Sequence, residues 1–147
     1  MTEHLTNAHR MLRVFEQMRA LKPGASWRRL ADLGLSHSHL RALHMLAPDR
    51  TLAMKDLAEA LQLTPPSVTA LTRRLVQSGM VQRQTHEEDS RVSLLSLTED
   101  GRTLLEGLYH EQLRGMERLL LGLSDEDQRQ LIDLLERAVR ALREEVT

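Results

Sequence analysis

The stretch from Thr64 to Gly79 leaves the chain the least freedom, because both ends of one helix are written into it. Thr64 is a good N-cap, able to accept a hydrogen bond from a backbone N–H of the first turn. Pro65 suits the first helical position, where its missing N–H would be unpaired anyway. Leu63 stands where it can staple onto Val68, and Gly79 supplies the left-handed residue on which such a helix ends. Just upstream, Leu57, Ala58 and Leu61 make a helical i, i+1, i+4 pattern, succeeded by the short link Gln62-Leu63. Two short helices on a brief turn, the second capped at both ends, predict a helix-turn-helix.

The second helix resolves into faces. At 100° per residue, Val68, Leu71 and Leu75 share the side that packs on the first helix. The opposite side carries Pro66, Thr69, Ala70, Arg73 and Gln77, with Ser67 and Arg74 flanking. Small residues let a helix N-terminus approach a base edge or phosphate, and arginine pairs with guanine or phosphate. No Asp or Glu occurs between Glu59 and Glu87, although 28% of the chain is charged. Taken alone, two adjacent arginines fit a merely solvated face better than an interface.

The residues beyond Gly79 change that balance. Met80–Thr85 and Val92–Leu97 are short apolar-rich runs without helical caps, and His86-Glu-Glu-Asp89-Ser90-Arg91 between them is a polar loop of hairpin length. A helix-turn-helix running directly into a hairpin predicts a winged helix, so the fold class is mainly α, an α+β winged helix. At these residues the sequence resembles the multiple-antibiotic-resistance regulator (MarR) family of bacterial transcription factors. The resemblance is carried by Leu57-Ala58-x-x-Leu61, Thr64-Pro65-Pro66-Ser67-Val68-Thr69, Leu75 with Gly79, Asp89-x-Arg91, and Leu97-Thr98-x-x-Gly101. It covers nearly the whole chain; each motif is weak alone, and their order and spacing make the likeness specific.

The flanks read as supports. Leu5, Ala8, Met11, Leu12, Phe15 and Met18 fall at helical spacing over residues 4–21, stopped by Lys22-Pro23-Gly24. Ser26–Gly34 predicts a short capped helix or turn, in which Trp27 reads more readily as a core plug than as a ligand contact. Ser36 caps a helix from His37 to about Leu46, with Leu35 and Leu40 placed for a staple. Thr98, with Glu99 and Asp100 after it, starts a long helix that ends near Gly122, and Ser124-Asp-Glu-Asp127 starts a last one. The apolar rows on the first and last helices exceed what one small winged helix needs, which predicts a twofold dimer. The expected division is 1–35 as an N-terminal dimerisation helix and linker, 36–97 as the winged helix-turn-helix, and 98–147 as C-terminal dimerisation helices.

Composition narrows the chemistry. The 147 residues include Phe15, Trp27 and Tyr109 as the only aromatics of their kind, so the core is aliphatic. A net charge of −1 carries no global nucleic-acid signature, so any attraction for DNA is local. The absence of cysteine excludes thiol redox sensing and cysteine-ligated zinc. No signal core or long apolar run is present, which predicts a cytoplasmic protein without membrane contact. Ser36-His37-Ser38-His39 places Ser and His side by side, but neighbouring helical residues point apart, and no nucleophile elbow or HExxH is present; we expect no enzyme. His37, His39 and His44 are poorly aligned for one metal, which would need ligands such as Glu106, His110 or Glu111; neither a metal nor a cofactor is expected.

The resemblance implies the rest. A recognition helix would enter the major groove and the wing an adjacent minor groove, on a pseudo-palindromic double-stranded operator matched to a homodimer. Carried over residue by residue, the groove positions are Ser67, Thr69, Arg73 and Arg74. Arg91 is the wing-tip arginine, and Asp89 its orienting partner. Relatives often have several basic wing residues; Glu87, Glu88 and Asp89 stand here instead, which should weaken non-specific binding. An effector site is also implied, with Trp27, His37, His39 and Tyr109 as lining candidates and small aromatic acids as the ligand class. Three readings stand at this point: an effector-responsive repressor, a metal-sensing regulator, and a non-catalytic protein-interaction winged helix.

Overall fold

The computed structural model describes residues 2–19 and 23–145, with side chains from residue 6 onward. Its order is α1 (Thr2–Arg19), α2 (Ala25–Asp32), α3 (His37–Leu46), β1 (Leu52–Ala53), α4 (Met54–Leu61), α5 (Pro65–Gln77), β2 (Val81–Thr85), β3 (Ser93–Leu97), α6 (Glu99–Leu120) and α7 (Asp125–Glu145). This is the expected winged helix between flanking helices. The expected helix over 4–21 is seen to Arg19; its last two positions, Lys22 and the Leu5 side chain lie outside the described residues. The chain forms two compact units, Met1–Leu108 and Tyr109–Thr147, with the boundary inside α6.

The first unit holds the core. Leu43 and Leu46 of α3, Leu57 of α4, Leu75 of α5 and Leu95 of β3 are all essentially inaccessible to solvent. Burying each such leucine is worth about 1.5–3 kcal/mol. Val68, Leu71, Thr72 and Leu75 are the buried residues of α5, the stripe that helical spacing demands.

The sheet is antiparallel, in the order β1-β3-β2. Val81 pairs with Leu97 and Thr85 with Ser93, while β1 adds Leu52 opposite Leu95 and Ala53 opposite Leu94. The root of the hairpin is tied to both neighbouring helices. The Thr98 hydroxyl donates to the Gly79 carbonyl at 2.6 Å, and the Thr98 N–H donates to the Met80 carbonyl at 3.0 Å. Thr98 Oγ1 also accepts from the Gly101 N–H at 3.1 Å, capping α6. A side chain at position 101 would overlap the Met80 carbonyl oxygen, so the first turn of α6 lies directly on that backbone.

The helix-turn-helix turn has an unexpected residue at its centre. α5 ends as read from sequence: Gly79, at φ +78°, donates to the Val76 carbonyl, and Met80 N–H donates to the Leu75 carbonyl. α4 ends with the same bond pattern, Gln62 N–H to Glu59 and Leu63 N–H to Ala58, but with Gln62 at φ 55°. A non-glycine residue there is strained by about 1–2 kcal/mol. Gln62→Gly should therefore stabilise the fold by about 0.5–1 kcal/mol, after the loss to the more flexible unfolded chain. Urea denaturation checks this; an unchanged or lowered midpoint would show that the Gln62 side chain offsets the strain.

Candidate nucleic-acid interface

α5 presents a face the core does not use. Pro66, Ser67, Thr69, Ala70, Arg73 and Gln77 are all exposed, opposite the buried stripe. Thr64 caps the helix: its Oγ1 accepts weakly from the Ser67 N–H at 3.4 Å and donates to the Ser67 hydroxyl oxygen at 2.9 Å. Ser67 therefore keeps its own hydroxyl hydrogen for an outside acceptor. Thr69 is different, because its hydroxyl donates back to the Pro65 carbonyl at 2.8 Å. What it offers outward is chiefly its methyl group.

The adjacent arginines are used differently. Among the described residues, the Arg73 guanidinium has neither a hydrogen bond nor an ion pair. Arg74 turns back along the protein and donates to the carbonyl of Leu33, the C-cap residue of α2, at 2.6 Å. Sequence spacing puts the two side by side on the outer surface, and only the tertiary structure separates them.

The wing is built by local capping. The His86 N–H donates to the Val92 carbonyl at 2.9 Å and closes the hairpin. His86 Nδ1 accepts from the backbone N–H groups of Glu88 and Asp89 at 3.1 and 3.4 Å. Asp89 Oδ1 accepts from the Arg91 backbone N–H at 3.0 Å. That is an Asx turn, and it sets the backbone from which Arg91 projects rather than gripping its guanidinium. Sequence spacing does not reveal the capping role of His86; its one signal is a half-polar residue at the hairpin mouth.

The residues read as effector-lining are dispersed in character. Trp27 is 38% exposed, so it is not a core plug; Leu30 is the buried residue of α2. His37 is exposed and His39 half-buried on the first turn of α3. In the second unit Tyr109 is 63% exposed, with its ring edge-on to His110 at 5.7 Å. Among the described residues, no three His, Asp or Glu side chains converge as a metal site.

His39 has a structural task. Its Nδ1 accepts from the Ser36 N–H at 3.0 Å and lies 2.7 Å from Ser36 Oγ, the arrangement in which Glu or Gln usually completes a helix cap. Burial, and then the positive charge of Arg74, hold this imidazole below the ordinary histidine range. Folded protein therefore binds fewer protons here than unfolded chain does. Its stability is intact above the unfolded value near 6.5 and is lost as pH falls through it. His39→Gln keeps an acceptor but cannot titrate, so its stability should fall less steeply than wild type between about pH 7 and pH 5. Parallel slopes in pH-resolved urea denaturation would show that His39 contributes nothing to acid sensitivity.

Comparison with known proteins gives a consistent answer. Residues 35–93 match the MarR family. The chain is 35% identical over 107 residues to the HTH-type transcriptional regulator YdgJ of Bacillus subtilis, covering 73% of this chain and 65% of that protein. It is also 35% identical over 105 residues to the organic hydroperoxide resistance transcriptional regulator of B. subtilis, covering 69% of this chain and 68% of the relative. In fold it is similar to B. subtilis YusO, with a TM-score of 0.79 at 22% identity over 96% of this chain and 98% of YusO. It is likewise similar to MepR of S. aureus in a DNA complex, with a TM-score of 0.71 at 23% identity over 91% of this chain and 96% of MepR.

Proposed function

Because this chain belongs to the MarR family of transcriptional regulators, we propose that it acts as a cytoplasmic, non-catalytic repressor that binds operator DNA as a homodimer and responds to a small effector. The observation that carries this reading is the two-sided α5, one face wholly in the core and the other exposed, small near its start and cationic at Arg73. A helix of this width fits the major groove. On this reading Ser67 donates to a phosphate or base edge, the Thr69 methyl meets a thymine methyl, and Arg73 pairs with guanine. Arg91, projecting from the turn that Asp89 braces, enters the adjacent minor groove. The MepR complex with DNA supports the same use of the shared fold.

Dimerisation is supported by what each unit leaves uncovered. On α1, Met11, Leu12, Val14 and Phe15 are each about half exposed. On α7 no residue is buried, and Ile132, Leu134, Leu135, Val139 and Leu142 all face outward from the unit. A second copy covering these rows yields a twofold molecule and a pseudo-palindromic operator. Among the described residues, no helix is long and apolar enough to cross a membrane. Sedimentation at micromolar concentration should give twice the chain mass, and a monomer that still binds its operator would overturn the dimer.

The effector reading extends to a small aromatic acid held near Trp27, His37 and His39. The B. subtilis relative is named for resistance to a different class of compound, organic hydroperoxides. With no cysteine in this sequence, oxidation of a thiol is excluded as the signal here. Fluorescence anisotropy on operator fragments selected from a random duplex pool tests the central claim. Binding should be specific and weaken steeply with salt, and failure to enrich any duplex would reject it. Arg73→Ala should cost about 1–3 kcal/mol on the selected operator and relax one symmetric base position. Equal weakening on random DNA would make Arg73 a phosphate contact instead.

A further inference from the structure

Arg74 stands beside Arg73 on the recognition helix, and the family resemblance makes it a groove position. Three observations place its guanidinium elsewhere. It donates to the Leu33 carbonyl at 2.6 Å, an orphan acceptor at the negative end of α2 where a cation is favoured. Gly34, the next residue, lies at φ +66°, and a Cβ there would come within 2.5 Å of Arg74 Nη2. The same guanidinium is close enough to His39, on the first turn of α3, to disfavour protonation of its ring. Among the described residues no carboxylate pairs with Arg74.

We infer that Arg74 is a positioning residue: it ties the middle of α5 to the corner where α2 ends and α3 begins, and it sets the angle at which the exposed face meets DNA without touching DNA itself. The inference rests on the DNA-binding reading above. The corner is shaped for it. Gly34 ends α2 in the left-handed conformation and leaves the space a side chain would fill. The guanidinium then spans from one helix end toward the next helix start. A carbonyl makes an unequivocal partner here, since it cannot be neutralised by protonation, and it leaves the overall positive charge of the α5 surface intact.

The test compares Arg74→Gln, Gly34→Asn and the double variant in the full chain. Asparagine tolerates the left-handed backbone better than other side chains, but its Cβ takes the guanidinium's place. Each single variant should bind the selected operator about tenfold more weakly. The double variant should be no weaker than either, because both remove one contact. The dependence of affinity on salt should keep the wild-type slope. His39, tracked by NMR titration without DNA, should titrate higher in Arg74→Gln than in wild type. A salt slope reduced by about 0.9 for each protomer would show a phosphate contact and overturn the inference. Additive losses in the double variant, or an unmoved His39 titration, would overturn it too. If the wild-type protein binds no duplex at all, the functional reading fails, and the strut stands or falls on the His39 titration alone.

Discussion

Four segments of this chain are held together at the carbonyl groups of two consecutive residues, Gly79 and Met80. These carbonyls leave the end of α5 and the beginning of β2, and both accept from Thr98, which ends β3 and begins α6. The absence of a side chain at Gly101 lets the first turn of α6 rest on the same backbone. Met80 is buried, so its carbonyl has to be paired, and for both carbonyls the pairing group comes from a distant part of the sequence. The angle between α5 and the hairpin is therefore set at the root of the wing, by short directional bonds rather than by the loop at its tip. The tip is free to be polar and exposed because it has no structural task beyond closing itself.

The same division applies across α5. Val68, Leu71 and Leu75 are committed to the core, and Thr72 is buried among them. Arg73 and Arg74 are adjacent in sequence and equal in charge, yet among the described residues one is unengaged and the other is anchored to a helix end. Charge alone cannot distinguish them; the partner does. The acid-free run around them makes this stretch locally basic in a molecule of net charge −1, which is a local arrangement and not a compositional one.

The features legible in the sequence are local. The Thr64-Pro65 start and Gly79 end of α5, the Ser36 start of α3 and the hairpin over residues 81–97 depend on neighbours a few positions away, and all appear where spacing puts them. The illegible ones are held from afar. β1 is two residues long and exists only through Leu94 and Leu95 of β3. The partner of Arg74 lies 41 residues away and is a backbone atom, which no side-chain pattern reveals. Gln62 takes a left-handed conformation because the turn between α4 and α5 requires it, against its own preference. His39 has the look of a possible ligand and is a helix cap, since imidazole Nδ1 accepts a hydrogen bond at the place where glutamine would. Trp27 misleads because its size suggests burial, while on an eight-residue helix leucine already fills the inward position.

The self-contained ends of α5 have a consequence for how such a protein changes over generations. The helix is started by Thr64, stopped by Gly79 and seated by Val68, Leu71 and Leu75, none of which lies on the exposed face. Among the described residues, the exposed side chains of Pro66, Ser67, Thr69, Ala70, Arg73 and Gln77 make no bond beyond the local ones of Ser67 and Thr69 at the start of α5, and exchanges at such surface positions usually alter stability by no more than about 0.5 kcal/mol. A duplicated copy of the gene can rewrite those six letters without first acquiring stabilising changes elsewhere. New sequence preference is then reached through folded intermediates at every step, and a lineage can diversify its target sites while its architecture stands still.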